Sequence, residues 1–200
     1  MTYAAFFGLI SILLTFCSRL NYFIAIFRGK TKPHAFSWLI WGIISSIGVA
    51  AQIAEGAGAG AWGRAFASFT NLVLVFIALS KGTCNITRSD WITLIVALLA
   101  IPLWVITRTP VWSVILVCII DTLGYFPTVR KSWEKPYEEA AFSYMASGCS
   151  SLLAVLAVEH YTLSTWLYPA VLACSNTCMT AFLLLRRKHA RKLVAGVVHD

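Results

Sequence analysis

Seven apolar stretches alternate along the chain with short polar gaps, at about 3–27, 36–54, 61–80, 91–107, 110–129, 140–158 and 163–185. Each approaches or reaches the roughly 20 residues that a helix needs to cross the ~30 Å hydrocarbon layer. The gaps carry charge and turn signals. Residues 28–33 close the first stretch, the Gly- and Ala-rich 55–60 the second and Lys81-Gly82 the third, while Arg108-Thr109-Pro110 parts the fourth from the fifth. The fourth stretch is the shortest and contains Pro102. The pattern predicts an all-α membrane protein with seven transmembrane helices.

Composition agrees with that reading. The 200 residues are 59% hydrophobic and only 12% charged, with a mean hydropathy of +0.77. A soluble domain carries about 25% charge, so a soluble enzyme, a disordered tail and a secreted disulfide scaffold are not expected. The net charge of +8 does not point to nucleic acid, because no basic stripe interleaves with aromatics. The basic residues fall mostly in gaps, where Lys and Arg fix membrane orientation. With the N-terminus outside, thirteen of them (Arg28, Lys30, Lys32, Lys81, Arg88, Arg130, Lys131, Lys135, Arg186, Arg187, Lys188, Arg191 and Lys192) lie inside, against Arg64 and Arg108 outside. The expectation is N-terminus out and C-terminus in, a multi-pass protein of the plasma (inner) membrane with the lipid bilayer as its first partner. The N-terminus lacks a basic n-region and reads as the first span, not as a cleaved signal. Most cysteines lie in apolar runs and behave there as small hydrophobes. Cys174 and Cys178 are one turn apart but have no His or carboxylate on the same run, so neither a metal nor a cofactor is expected. The sequon at Asn85 falls in an expected inner loop.

The chain also matches itself. Leu20-Asn21-Tyr22-Phe23 aligns with Leu123-Gly124-Tyr125-Phe126 and Lys32-Pro33 with Lys135-Pro136, at an offset of 103. After a three-residue insertion, Ala35-Phe36-Ser37-Trp38 aligns with Ala141-Phe142-Ser143-Tyr144. Trp62 then pairs with Trp166 and Asn71 with Asn176, at offsets of 104 and 105. The predicted organisation is a first three-helix repeat over 1–82, a linker helix over 83–108, a second repeat over 109–186 and a basic cytoplasmic tail over 187–200. Three spans are an odd number, so one linker helix restores the same orientation in both copies, a parallel repeat about the membrane normal.

This three-plus-one-plus-three layout resembles the PQ-loop superfamily, the SWEET sugar transporters and their relatives. Tyr125-Phe126-Pro127-Thr128, followed by Arg130, Lys131 and Pro136, is similar to the family's proline-plus-polar motif, with Thr128 where glutamine is usual. In the first repeat Ile24-Ala25 takes the equivalent place, so that proline is missing. The resemblance implies a hinge at Pro127 on one side only. It also implies a solute site at the asparagines of the third and seventh helices, which Asn71 and Asn176 match.

Asp121 sits near the centre of the fifth stretch, where a carboxylate costs around 3 kcal/mol on insertion scales and must face the bundle interior or water. It is a candidate to bind substrate, to titrate in a coupled cycle or to pair with a cation. Arg19, one residue past the repeat equivalent of Asp121, is the candidate partner; the alternative has Arg19 snorkelling to the interface and Asp121 bonding to Thr122. The amides of Asn71 and Asn176 suit a neutral polar solute, or serve as glue between helices. Trp62 is half a turn out of phase with Asn71, so Trp62 and Trp166 read as interface anchors, as do Trp38 and Trp41. Ser143, Ser147, Ser150 and Ser151, with Ala146 and Gly148, mark a packing face on the sixth span.

These residues point to a transporter of a small polar solute (sugar, amino acid or vitamin-like) by alternating access. It is proton-coupled if Asp121 titrates, and its coupling or gating residues are Asp121, Arg19 and Pro127. The alternative is a seven-span receptor or assembly and trafficking factor without flux. An enzyme is not expected: His34, His160, His189 and His199 lie outside the spans, and no paired carboxylates or nucleophile elbow is present. A homo-oligomer is compatible with the sequence.

Overall fold

The computed structural model describes residues 2–29, 33, 35–82, 88–134, 136–137, 139–197, with the side chains at 89–90, 93, 126–128, 130–131 and 192–197 outside that description. The chain is all-helical, with no strand among the described residues: α1 Tyr3–Phe27, α2 Ala35–Ala54, α3 Trp62–Lys81, α4 Arg88–Leu98, α5 Ala100–Thr107, α6 Pro110–Glu134, α7 Ala141–Leu156 and α8 Leu163–Val197, with a short 3-10 turn, Gly58–Ala61, leading into α3. Four stretches, Tyr3–Phe27, Ala35–Ala54, Gly58–Lys81 and Leu163–Arg191, are long and apolar enough to cross a membrane, and three shorter apolar ones accompany them.

The helices burn their polarity inward. On α1, Ser11, Thr15 and Ser18 are buried while Phe6, Leu9, Leu13, Phe16 and Leu20 are exposed. The same inversion holds on α3, where Thr70 and Asn71 are buried and Phe69 and Phe76 are exposed. Water would drive those apolar faces together; hydrocarbon leaves them where they are.

Six helices form a closed ring, each packed on two neighbours in the order α1, α3, α2, α6, α8, α7 and back to α1. The short pair α4 and α5 rests on the outside of the α2–α6 seam. In sequence this pair reads as one span, 91–107. It is instead broken at Leu99, because Pro102 has no N–H to offer the carbonyl of Leu98.

Within the ring, α1–α3–α2 and α6–α8–α7 make matching sets of contacts. A small core of Ile26, Ala35, Trp38, Leu74 and Ala78, with Tyr22 and Ile77 against it, holds the first triple. The second triple is held by Ala141, Met179 and Leu183, with Tyr125, Val129, Tyr144 and Phe182 against them. Each member of the second cluster lies 103, 105 or 106 residues after a member of the first. Tyr22 packs on Trp38 with ring centroids 5.1 Å apart, and their aligned counterparts Tyr125 and Tyr144 pack at 6.3 Å. Gly42 and Gly148, also aligned, are where α2 meets Leu72 of α3 and α7 meets Thr177 of α8.

The two seams that join the triples differ. At α2–α6 the contact is apolar, with Ile40, Ile44 and Ile47 in one core with Val114, Val117 and Ile120. At α1–α7 it is a ladder of hydroxyls. Ser11 donates to the Ser150 carbonyl (3.0 Å), Ser150 donates to the Ser11 carbonyl (2.8 Å), and the Thr15 and Ser150 hydroxyls lie 2.7 Å apart. One turn on, Ser18 donates to the Ser143 carbonyl at 3.2 Å. Ser143, Ser147 and Ser150 of α7 thus pack at this seam, while Gly148 faces α8.

At the end of the ring that carries Gly58–Ala61, backbone meets backbone. Glu159 N–H donates to the Ala57 carbonyl at 3.2 Å, and Ala59 N–H donates to the Glu159 carboxylate at 3.3 Å. Gly58 has φ +56°, and a Cβ there would collide with the Glu159 carboxyl group. Nearby, Pro169 inside α8 leaves the Thr165 carbonyl without its helical donor, and Gln52 Nε2 of α2 fills that role at 2.8 Å. At the opposite end, α8 continues through the basic residues expected to form a tail. Arg186 donates to the Trp133 carbonyl at 2.6 Å, and Arg187 donates to the carbonyls of Pro136 (3.0 Å) and Glu139 (2.6 Å), fastening the α6–α7 connection.

Candidate functional site

Both triples contribute buried polar side chains to the ring. From α3 comes Asn71, 4% exposed; its Nδ2 donates to the Ser45 hydroxyl (3.2 Å) and towards the Trp41 carbonyl (3.4 Å) of α2, while its Oδ1 is buried without a hydrogen bond. From α8 comes Asn176, 6% exposed, whose Nδ2 donates to the Leu172 carbonyl one turn back at 2.8 Å. The two amides do not bond each other. Each sits in the equivalent place of its own triple: Asn71 against α2, Asn176 beside Gly148 of α7 and within reach of the Tyr125 phenol.

Asp121 is buried on α6, and its Oδ2 has no hydrogen-bond partner. Thr122 bonds to the Cys118 carbonyl in its own helix and leaves the carboxylate alone. Arg19 and Asp121 do not pair in this conformation. The Arg19 guanidinium lies over the Trp38 ring, 5.2 Å from its centroid. The cation whose field acts on Asp121 is Arg64, which also acts on Arg19. Pro127 lies within the helical run of α6, but its side chain is outside the described residues, as are the expected loop charges Lys30, Lys32 and Lys135 and the sequon Asn85.

Arg64 is the residue that loop-charge arithmetic conceals. Counted as an outer charge, it is half-buried two residues into α3 and turned into the ring. Its guanidinium lies 5.0 Å from the centroid of the buried Tyr168 ring, it donates to Ser151 Oγ at 3.3 Å, and its Nε is buried without a partner. The signal was available in the spacing. Arg64 and Asn71 are seven residues apart, two turns along one stripe of a helix. Trp38 also differs from its reading as an interface anchor. It is 5% exposed, packed between Tyr22, Trp41 and Arg19, because the stripe it occupies on α2 faces the core and not the lipid. Trp62 and Trp166 do face outward.

No protein-family model matches the chain, and neither a curated protein nor a solved structure matches it. What the arrangement can do rests on its own chemistry. Two guanidiniums lie on aromatic faces, a carboxylate and an amide carry free acceptor oxygens, and all four belong to helices that meet at the centre of one ring. Among the described residues no group of three or more metal-ligating side chains occurs.

Proposed function

We propose that the chain spans the membrane seven times, in a three-plus-one-plus-three layout with the N-terminus outside, and carries a small polar solute by alternating access. The observation that carries this reading is the ring itself. Two triples with duplicated small cores enclose unsatisfied polar groups, and they are joined by an apolar core on the α2–α6–α8 side and by hydroxyl contacts on the α1–α7 side. Such halves can rock about a central site, as parallel-repeat transporters do. The likeness of the Tyr125 to Thr128 segment to the PQ-loop and SWEET proteins supports the same mechanism. The sealed end at Gly58–Ala61 is then the closed outer gate, and the opposite end, with its half-buried tyrosines Tyr22, Tyr125 and Tyr144, is the inner mouth. Pro127 serves as the hinge of the second triple, and Asn71, Asn176 and Asp121 line the solute path.

The test is uptake of labelled sugars, amino acids and vitamins into proteoliposomes, with and without an imposed pH gradient. Wild type takes up at least one class, and Asn71→Ala and Asn176→Ala lose that uptake. Gradient-driven accumulation that Asp121→Asn abolishes identifies proton coupling; uptake insensitive to the gradient identifies facilitated diffusion. Saturable binding with no flux would replace the transporter by a receptor of the same fold.

A further inference from the structure

The centre of the ring has more cation than it has anion to match. Arg19 and Arg64 come from neighbouring helices of the first triple, α1 and α3, and the Arg64 charge reaches Arg19. Neither touches a carboxylate. Arg19 has the face of Trp38, and Arg64 has the face of Tyr168 and one weak hydroxyl contact, with Nε bare. A guanidinium presents five donors in a planar fork suited to a carboxylate, and an aromatic face satisfies its charge but none of those donors. Both side chains are half-buried, and a guanidinium drawn away from water is stabilised when an anion joins it. Asp121 makes no ion pair with either of them, and its Oδ2 lacks a donor, as does Asn71 Oδ1.

Resting on the transporter reading, we infer that the solute is a small carboxylate, bound between the guanidiniums of Arg19 and Arg64, with an adjacent amino or hydroxyl group donating to Asp121 and Asn71. A neutral sugar would satisfy the acceptors and leave both guanidiniums without an anion. An inorganic anion would do the reverse. A 2-amino or 2-hydroxy acid satisfies both sets with one molecule. The aromatic platforms under the guanidiniums hold the forks in place before the solute arrives, which limits the ordering cost of binding.

The experiment is thermal stabilisation of the purified full-length protein in detergent. The probes are the L-amino acids, lactate, propionate, chloride, sulfate and neutral sugars, and each acid that acts is repeated as its carboxamide. The expected result is a shift with amino or hydroxy acids that the carboxamide loses; lactate against the amino acids tells which donor the site prefers. Arg64→Gln and Arg19→Gln each weaken the apparent affinity at least about tenfold, the scale of one charge-assisted hydrogen bond. Arg64→Lys keeps charge without the fork and falls between, and its melting temperature without ligand shows whether the fold survives. A shift with neutral sugars and none with acids overturns the inference and leaves the transporter reading standing. A shift with chloride or sulfate equal to that with acids overturns the donor half. No shift with any probe, together with no uptake of any class into proteoliposomes, overturns both.

Discussion

Replacing Ser150 tests whether the α1–α7 seam is the close hydroxyl contact described above. Its hydroxyl donates to the Ser11 carbonyl at 2.8 Å and lies 2.7 Å from that of Thr15. Ser150→Ala removes both interactions, but Thr15 keeps its bond to the Ser11 carbonyl in its own helix at 2.9 Å, so no donor is orphaned. Hydrogen bonds between helices in a bilayer are worth about 0.6 kcal/mol on average and up to about 1.7. The expected loss is therefore about 1 kcal/mol. Ser150→Val adds a methyl where the Ser11 and Thr15 oxygens already stand at 2.9 and 2.7 Å. Overpacking of that kind costs a further ~1–3 kcal/mol. The assay is reversible unfolding in mixed micelles, with a double-mutant cycle between Thr15→Ala and Ser150→Ala, whose coupling should be about 0.5 kcal/mol. If Ser150→Ala and Ser150→Val are both neutral within about 0.3 kcal/mol, the helices are not in hydroxyl contact and the seam as described is wrong.

Glycines give a graded comparison. A Cβ on Gly48 would lie 2.5 Å from the ring of the buried Tyr168, whereas one on Gly148 would meet Thr177 Oγ1 at 3.2 Å. Gly48→Ala should cost ~2–3 kcal/mol and disturb Arg64 through its platform, and Gly148→Ala about 1 kcal/mol or less, read as unfolding midpoints. Gly60→Ala places a Cβ 2.9 Å from the backbone of Val158; cysteine-accessibility labelling should then show the Gly58–Ala61 end opening more often. Arg187→Ala removes two donors from the α6–α7 connection, and amide hydrogen exchange should rise there while α1–α3 stays protected. Gln52→Leu leaves the Thr165 carbonyl beside Pro169 without a donor, at a cost of ~1–3 kcal/mol in the same unfolding assay.

Much of the architecture was legible because hydrophobic runs and charged gaps speak directly to helix ends. The first, second, third, fifth and sixth stretches are helices within about five residues of their expected ends, α8 runs on to Val197, and the repeat found in Tyr22 and Tyr125, Trp38 and Tyr144 lies in equivalent packed pairs. The fourth stretch is helical but divides at Leu99 into α4 and α5, where Pro102 withholds an N–H that composition does not register. The site was only half legible. Asn71, Asn176 and Asp121 stand out as polar residues in apolar runs, but Arg64 stands three residues from a loop, where it is counted as a loop charge. Its long side chain decides its place, and length is invisible to a tally. Trp38 failed for the converse reason: an aromatic at a helix start fits a belt or a core equally, and only the phase of α2 against α1 separates them. The basic run after Leu185 was readable as charge but not as the brace it forms, since its partners are backbone carbonyls 48 to 53 residues away.

Each triple holds a small core of its own, while α4 and α5 bury Leu94, Ala97 and Ala100 in the core that α2 shares with α6 and α8, so the covalent link is a tether that also packs across the seam. Its contribution is to keep two halves at high local concentration in the plane of the bilayer. Severing the chain in the gap between α3 and α4 and producing the two fragments together should therefore yield a complex that assembles unaided. The amount recovered would report how strongly the seams alone recognise one another.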